Sequence, residues 1–185
     1  MKASALRRGS VVVYNKTPYR VIDFNHSTPG NLRARVQTKL RNLLNGTQTE
    51  VRFGATEDVE EADIYYFKAT YLYSDSEGFH FMNSENYEQM ALSTEILADS
   101  IYYLQENMEV QITTYEGQAI GIELPSTVIL TVVDTEPELK GSTASNSPKP
   151  AKLDTGLTIS VPAFVKIGEK IVVNTGEGTY VSRAN

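Results

Sequence analysis

Apolar and polar residues alternate most clearly between Ala34 and Arg41. A period of two places successive side chains on opposite faces of a strand. One face of this strand is small or apolar and consists of Ala34, Val36, Thr38 and Leu40. The other face is polar and basic and consists of Arg35, Gln37, Lys39 and Arg41. A solvated strand often carries cations without binding a partner, so the strand alone leaves a surface role and a binding role open.

A tight turn precedes this strand, in the sequence Thr28-Pro29-Gly30-Asn31. Proline presets φ at the second position of a type II turn, and glycine accepts the positive φ of the third position. The residues from Tyr19 to Phe24 predict the preceding strand. The pattern therefore predicts a hairpin with a projecting tip and one basic face.

Three further short strands are predicted in this part of the chain, at Ser10–Tyr14, Arg41–Leu44 and Thr47–Phe53. Between the last two of them, the dipeptide Asn45-Gly46 favours a type I′ hairpin turn. Five short strands without a helix are typical of a small curled barrel. We interpret the acidic stretch Thr56–Asp63 at the end of this segment as a solvated loop.

The next segment predicts a second barrel. Its predicted strands are Thr70–Tyr73, Phe79–Met82, Tyr87–Leu92, Glu109–Tyr115 and Ala119–Leu124. Ser93 is a suitable cap for a short helix between the third and fourth strands, with Ile96, Leu97, Ile101 and Leu104 as its apolar stripe. This order is typical of an OB-type barrel. The many aromatic residues are either base-stacking platforms or core residues, and we favour the core for most of them.

The last segment predicts a third barrel, with strands at Val128–Thr135, Leu157–Val161, Lys170–Asn174 and Thr179–Ser182. A long polar loop, Glu136–Pro150, lies between the first two of these strands. A loop of this length inside a compact domain is usually disordered or functional. We therefore predict an all-β chain of three small β-barrels, with domains at residues 1–64, 65–126 and 127–185.

Charge is distributed unevenly along the 185 residues, although the formal net charge is only −6. Residues 1–54 contain ten Lys/Arg residues and two acids, which gives +8. Residues 55–126 contain one base and fifteen acids, which gives −14, and residues 127–185 contain six of each. A chain with a basic N-terminal segment followed by an acidic segment is attracted to a polyanion such as RNA in one orientation. This asymmetry favours a binding role for the basic strand.

Several classes of protein lack support in the sequence. The absence of cysteine excludes disulfides and thiolate metal sites and fits a reducing cytoplasm. No apolar run reaches the roughly 18 residues of a membrane span, and Met1–Leu6 lacks the apolar core of a signal peptide. We therefore predict a cytoplasmic protein without a membrane partner.

No catalytic residue, metal site or cofactor is predicted, and we expect a protein that is not an enzyme. The two histidines, His26 and His80, lie in different segments without a motif around either. Neither a phosphate-binding glycine loop nor a zinc pattern is present. The abundant carboxylates leave a glycosidase-like pair open, but nothing in their spacing singles out two of them.

Specific stretches of all three segments match one known family. In the first segment these are Thr28-Pro29-Gly30 and Lys39–Gly46, and in the second they are Tyr71–Asp75 and His80–Asn83. The third-segment stretches are Lys149-Pro150-Ala151, Thr155-Gly156-Leu157, Val161-Pro162, Phe164–Glu169 and Gly178–Arg183. The chain thus resembles the bacterial translation elongation factor P family, or its elongation-factor-P-like branch, over essentially its whole length.

The resemblance implies an SH3-like (KOW-like) N-terminal domain followed by two OB-type domains, in an L shape. It implies a monomer that binds the 70S ribosome and its ribosomal RNA between the P and E sites and relieves stalling at consecutive prolines. The implied partners are the P-site peptidyl-tRNA and the E-site codon of the mRNA.

The resemblance also implies a role for individual residues. The tip that faces the peptidyl-transferase centre consists of Pro29, Gly30, Asn31, Leu32 and Arg33. From the charge distribution we predict, independently of the resemblance, that the basic strand contacts RNA through Arg35, Lys39 and Arg41. The RNA-facing residues of the C-terminal domain are Gly141, Ser142, Thr143, Tyr180 and Arg183.

One position departs from the family pattern. Family members commonly carry, directly after the Pro-Gly of the tip, a lysine extended by an attached amino acid or a glycosylated arginine. This chain has Asn31 there, and the nearest cation is Arg33. The tip then works unmodified, relies on Arg33, or serves a specialised activity, and Asn31 is equally well explained as a plain turn residue. A rival function is that of a free-standing OB-type protein that binds single-stranded RNA.

Overall fold

The computed structural model describes residues 1–30, 32–138 and 147–185. Within these ranges the strands form three five-stranded sheets, which confirms the predicted all-β class. Backbone contacts divide the chain into two compact units, residues 1–67 with 112–121 and residues 68–111 with 122–185. The predicted domain boundaries after residues 64 and 126 stay predictions.

The first sheet has the strand order β4-β3-β2-β1-β5. Its strands are β1 (Val11–Tyr14), β2 (Thr17–Ser27), β3 (Arg35–Asn42), β4 (Gln48–Gly54) and β5 (Glu60–Glu61), and a 3₁₀ turn at Ala3–Ala5 precedes them. One side of the sheet covers an apolar core. The core residues are Ala3, Leu6, Val12, Val21, Val36, Leu40, Phe53, Ala55 and Val59.

Two local predictions for this sheet are wrong. The acidic stretch after β4 is more than a solvated loop, because Glu60 and Glu61 pair with β1 and Val59 is buried. The loop at Asn45-Gly46 is longer than a two-residue type I′ turn. Gly46 N–H donates to the Asn42 carbonyl across four residues, while the Asn42 side chain accepts the N–H of Leu44. An asparagine side chain that caps the loop thus replaces the predicted turn geometry.

The second sheet has the strand order β10-β9-β6-β7-β8. Its strands are β6 (Ile64–Asp75), β7 (Gly78–Asn83), β8 (Gln89–Leu92), β9 (Glu109–Tyr115) and β10 (Gln118–Glu123). The predicted helix between the third and fourth strands is present as α1 (Thr94–Leu97), and the Ser93 hydroxyl accepts the N–H of Ile96. The α-helix is shorter than the predicted apolar stripe, which extends to Leu104. Ala98 adopts a φ of 47°, which ends the α-helix, and a 3₁₀ helix (Ala98–Tyr102) follows.

The third sheet has the strand order β13-β12-β11-β14-β15. Its strands are β11 (Thr127–Thr135), β12 (Lys149–Leu153), β13 (Thr158–Val161), β14 (Lys170–Asn174) and β15 (Thr179–Arg183). Sequence reasoning missed β12, because this strand contains a proline and two lysines. Lys149, Ala151 and Leu153 nevertheless point inward, and Lys149 is only 7% exposed.

The aromatic residues of the acidic segment divide between the core and the surface. Tyr71, Phe81 and Tyr103 are buried. Tyr65, Tyr66, Tyr73, Tyr87 and Tyr102 are exposed. Core packing therefore explains part of this set, and fewer members than we expected.

Across the described ranges, the helices are all too short or too polar to cross a membrane.

Candidate nucleic-acid interface

The hairpin formed by β2 and β3 carries the predicted basic strand. The two strands pair continuously from Tyr19 opposite Asn42 to Ser27 opposite Arg35, apart from a bulge beside Val21. Val36, Thr38 and Leu40 are buried, and the Thr38 hydroxyl donates to the Val51 carbonyl at 2.8 Å. Arg35, Lys39 and Arg41 are exposed on the opposite side. The predicted alternation is therefore confirmed in β3.

The exposed side of β2, β3 and β4, which we call the outer face, is organised in four cross-strand rows. From the tip downward these rows are Ser27–Arg35–Gly54, Asn25–Gln37–Arg52, Asp23–Lys39–Glu50 and Arg20–Arg41–Gln48. Residues opposite each other in neighbouring strands have their side chains on the same face, about 5 Å apart at Cβ. Each row can therefore be treated as one local charge.

The rows separate the cations into two clusters. Arg35 and Arg52 form the tip-side cluster, and Arg20 and Arg41 form the base-side cluster. Lys39 lies in the row between them, flanked by two carboxylates, so this row has a net charge of −1. Polyanion attraction on this face should therefore come from the four arginines more than from Lys39.

Two of these arginines were missed by sequence reasoning. Arg52 is exposed and its Nε donates to Gln37 Oε1 at 3.0 Å, while Arg20 donates to the Tyr66 hydroxyl at 3.4 Å. Arg52 could have been found from the alternation of polar and apolar residues in its own strand, because it falls on the polar positions of β4. The register with β3, which places Arg52 opposite Gln37 and one row from Arg35, could not be read from spacing alone. Asp23 is partly neutralised by Arg8, at 3.2 Å.

The described residues of the hairpin tip, 28–30 and 32–33, are exposed. Gly30 has a φ of 51°, and Leu32 N–H donates to the Pro29 carbonyl at 3.0 Å. This hydrogen bond closes a turn one residue later than predicted. Leu32 is 63% exposed, and Arg33, also exposed, has no ion pair with any residue in the described ranges. Asn31 lies outside the described residues.

Two of the predicted RNA-facing residues, Tyr180 and Arg183, have structural contacts in the third sheet. Tyr180 is half-buried against the core of this sheet. Arg183 lies over the Phe164 ring at 4.3 Å, donates to the Phe164 carbonyl at 3.2 Å and pairs with Glu169 at 3.3 Å. Gly141, Ser142 and Thr143 lie outside the described residues. The RNA-facing role of this group stays a prediction.

His80 takes part in a small polar cluster in the β6–β7 hairpin. Its Nε2 lies 2.7 Å from Asp75 Oδ1, and Tyr73 stacks on the imidazole at 4.5 Å. The hydrogen bond from His80, followed by that from the Glu77 N–H, holds the pKa of the Asp75 carboxyl below its usual value. The donor atoms of Asp75, Glu77 and His80 lie within 4.8 Å of one another. The Asp75–His80 hydrogen bond accounts for this arrangement without a metal ion.

Three family models match the chain, and together they cover most of it. Residues 2–59 match the elongation factor P KOW-like domain, and residues 66–122 match the elongation factor P OB domain. Residues 128–183 match the elongation factor P C-terminal domain. The KOW-like and OB descriptions confirm the predicted fold class.

Curated relatives are similar over nearly the full length. The elongation factor P of Acidobacterium capsulatum is 46% identical over 182 residues, which cover 98% of each chain. The elongation factor P of Thermotoga maritima is 48% identical over 179 residues, which cover 97% of each chain.

Solved structures share the fold at lower sequence identity. The chain is similar to the eukaryotic translation initiation factor 5A from Methanococcus jannaschii, with a TM-score of 0.57 and 21% identity. That similarity covers 67% of this chain and 93% of the other.

Proposed function

Because this chain belongs to the elongation factor P family, we propose that it is a translation elongation factor that binds the 70S ribosome between the P and E sites. In this proposal it contacts the P-site peptidyl-tRNA, stimulates peptide-bond formation and relieves stalling at consecutive prolines. It acts as a monomer in the cytoplasm. The observation that carries the proposal is the similarity to elongation factor P relatives over 98% of the chain.

The outer face of the first sheet supports an RNA partner. Its four arginines lie on the three paired strands β2, β3 and β4 and outnumber the two carboxylates between them. Arginine binds phosphate through two parallel N–H donors, so each cluster can hold a phosphate group in a fixed orientation. The hairpin would thus be held along the RNA backbone while its tip extends beyond the contact.

The proposed help to peptide-bond formation is positional. Holding two reactants in a productive geometry lowers the entropic part of the barrier without a catalytic side chain. The proline ring fixes φ, so a prolyl residue reaches the reactive geometry less easily than other residues. A constraint on the position of the neighbouring tRNA would compensate for this. The exposed Leu32 and Arg33 at the tip are the side chains available for this constraint.

The third sheet would contribute a second RNA contact near the E-site codon. The residues proposed for it are Gly141, Ser142, Thr143, Tyr180 and Arg183. Small polar residues such as the first three can approach an RNA backbone closely without adding charge. This contact would be weaker than that of the first sheet, because residues 127–185 carry no net charge.

A sedimentation experiment tests the proposal. The protein should co-migrate with 70S particles that hold a P-site peptidyl-tRNA, and it should bind free oligonucleotides weakly. In a reconstituted translation system it should increase the synthesis of a polyproline peptide and leave a proline-free control peptide unchanged. Strong oligonucleotide binding without ribosome association would instead indicate a free-standing single-stranded RNA-binding protein.

A further inference from the structure

The segment from Tyr103 to Met108, which we call the bridging segment, is in contact with both the second and the third sheet. All of these residues belong to the compact unit formed by 68–111 and 122–185. On the side of the second sheet the contact is made by the backbone. Asn107 N–H donates to the Tyr71 carbonyl, and Tyr71 N–H donates to the Met108 carbonyl, both at 2.8 Å. The segment is therefore hydrogen-bonded to β6.

On the side of the third sheet the contact is made by side chains. Tyr103 is 8% exposed and belongs to the same buried cluster as Leu130 and Val173. Met108 packs against that cluster, and the Gln105 side-chain amide donates to the Ile129 carbonyl. The core of the third sheet is therefore completed by a residue that follows the 3₁₀ helix of the second.

The Tyr103 hydroxyl lies close to Gly178, in the turn between β14 and β15. A Cβ at this position would lie 2.9 Å from Tyr103 Oη, and Gly178 has a φ of 67°. The tyrosine ring is enclosed by core residues, so its hydroxyl has little freedom to move away. Burial, together with the nearby Asp99 charge, raises the pKa of the Tyr103 hydroxyl.

We infer that Tyr103 is a positioning residue that couples the second and third sheets into one cooperative body with a fixed spacing between their surfaces. The effect of this coupling on RNA binding rests on the proposed function. In the proposed function RNA is contacted by the first and third sheets, and the second sheet lies between them in the chain. Fixing the third sheet to the second removes one source of motion between the two RNA contacts, which lowers the entropic cost of binding. Loss of the coupling should therefore raise the half-maximal factor concentration in polyproline synthesis more than it reduces the maximal stimulation.

Native-state hydrogen exchange tests the coupling directly. In the unchanged protein the amides of β7 and β14 should lose protection together, in one cooperative opening. In Tyr103→Ala the β14 amides should exchange at least tenfold faster relative to those of β7. If the alanine variant does not fold, the same exchange rates are measured in Tyr103→Leu, which keeps an apolar side chain at this position. Continued joint exchange of both strands in a folded variant overturns the inference.

A double-mutant cycle isolates the contact with Gly178. Gly168 provides the matched control, because it also has a positive φ, 86°, but a Cβ there meets no atom within 4 Å. Gly178→Ala should accelerate unfolding more than Gly168→Ala. Tyr103→Phe, which removes the hydroxyl, should rescue part of the effect of Gly178→Ala and none of that of Gly168→Ala. Equal effects of the two glycine substitutions would contradict the role of Tyr103.

Polyproline synthesis then tests the functional consequence. The half-maximal factor concentration should rise about tenfold in the Tyr103 variant, with the maximal stimulation retained. A reduced maximum at an unchanged half-maximal concentration would overturn the positioning role. If the unchanged protein fails to stimulate synthesis, the proposed function fails, and hydrogen exchange still decides the coupling.

Discussion

Lys39 on β3 lies directly opposite Glu50 on β4. Asp23 lies opposite Lys39 on the other side, so this cation shares its row with two carboxylates. We therefore expect Lys39→Gln to weaken ribosome binding by no more than about twofold. Arg35→Gln and Arg41→Gln should each weaken it by about tenfold, because an arginine–phosphate contact contributes roughly 1–3 kcal/mol. Equilibrium binding to 70S particles at several salt concentrations measures these changes.

The salt dependence of binding provides the internal check on this ranking. Each lost phosphate contact should reduce the slope of log K against log salt by a little under one unit, roughly 0.7–0.9. The arginine variants should show this reduction and Lys39→Gln should not. Lys166→Gln and Lys170→Gln on the third segment, which has no net charge, are the matched controls. Equal effects at Lys39 and Arg35 would contradict the row arrangement.

The tip should depend on Arg33. Asn31 is short and uncharged and cannot accept conjugation chemistry of the lysine type, so we expect no modification there. The planar guanidinium of Arg33 can bind phosphate or stack on a base. We expect Arg33→Ala to reduce polyproline synthesis about as much as deletion of the tip, with Arg33→Lys intermediate. Full activity of Arg33→Ala would leave the backbone of the Pro29–Leu32 turn as the working part.

Intact-mass spectrometry of protein purified from its own host tests the absence of a modification. Peptides that span residues 28–36 should have the mass of their unmodified sequence. A stable added mass that maps to residues 28–36 would contradict the prediction and place this chain with the modified members of the family.

Arg183 should stabilise the third sheet whether or not it contacts RNA. It stacks on Phe164, donates to the Phe164 carbonyl and pairs with Glu169. Arg183→Lys keeps the charge but loses the planar contact. Because the side chain is half exposed, we expect a modest loss of about 0.5–1 kcal/mol in the free energy of unfolding, measured by urea denaturation. An unchanged free energy with reduced ribosome binding would assign Arg183 to RNA alone.

The sequence predicted those features that depend on local periodicity. Val36, Thr38 and Leu40 alternate with cations, and the structure buries the former and exposes the latter. The strands Glu109–Tyr115 and Ala119–Leu124 were predicted for the same reason, and the structure has strands at Glu109–Tyr115 and Gln118–Glu123. Glu116 and Gly117 between them have positive φ, 50° and 77°, as a two-residue hairpin turn requires.

The features that were missed depend on which segments meet in space. The strand at Lys149–Leu153 was hidden because a lysine occupies an inward position, where periodicity expects an apolar residue. The position of Lys39 between two carboxylates requires the register of three strands. The packing of Tyr103 requires that a residue between β8 and β9 enters the core of the third sheet. Register and packing of this kind are set by tertiary contacts, which local pattern does not determine.

The β6–β7 hairpin should lose stability in acid through Asp75. His80 donates to its carboxylate at 2.7 Å and the Glu77 N–H at 2.9 Å, so the pKa of Asp75 is lower in the folded chain than in the unfolded one. A group with a depressed folded pKa contributes its stability above the unfolded value, about 3.9 for aspartate, and loses it as the pH falls through the folded value. Asp75→Asn should therefore flatten the decline in stability below about pH 4, measured by urea denaturation at each pH. Glu85→Gln, which removes an exposed acid from the turn after β7, is the control and should leave the decline unchanged. An equally steep decline in Asp75→Asn would mean that other carboxylates control the acid sensitivity of this hairpin.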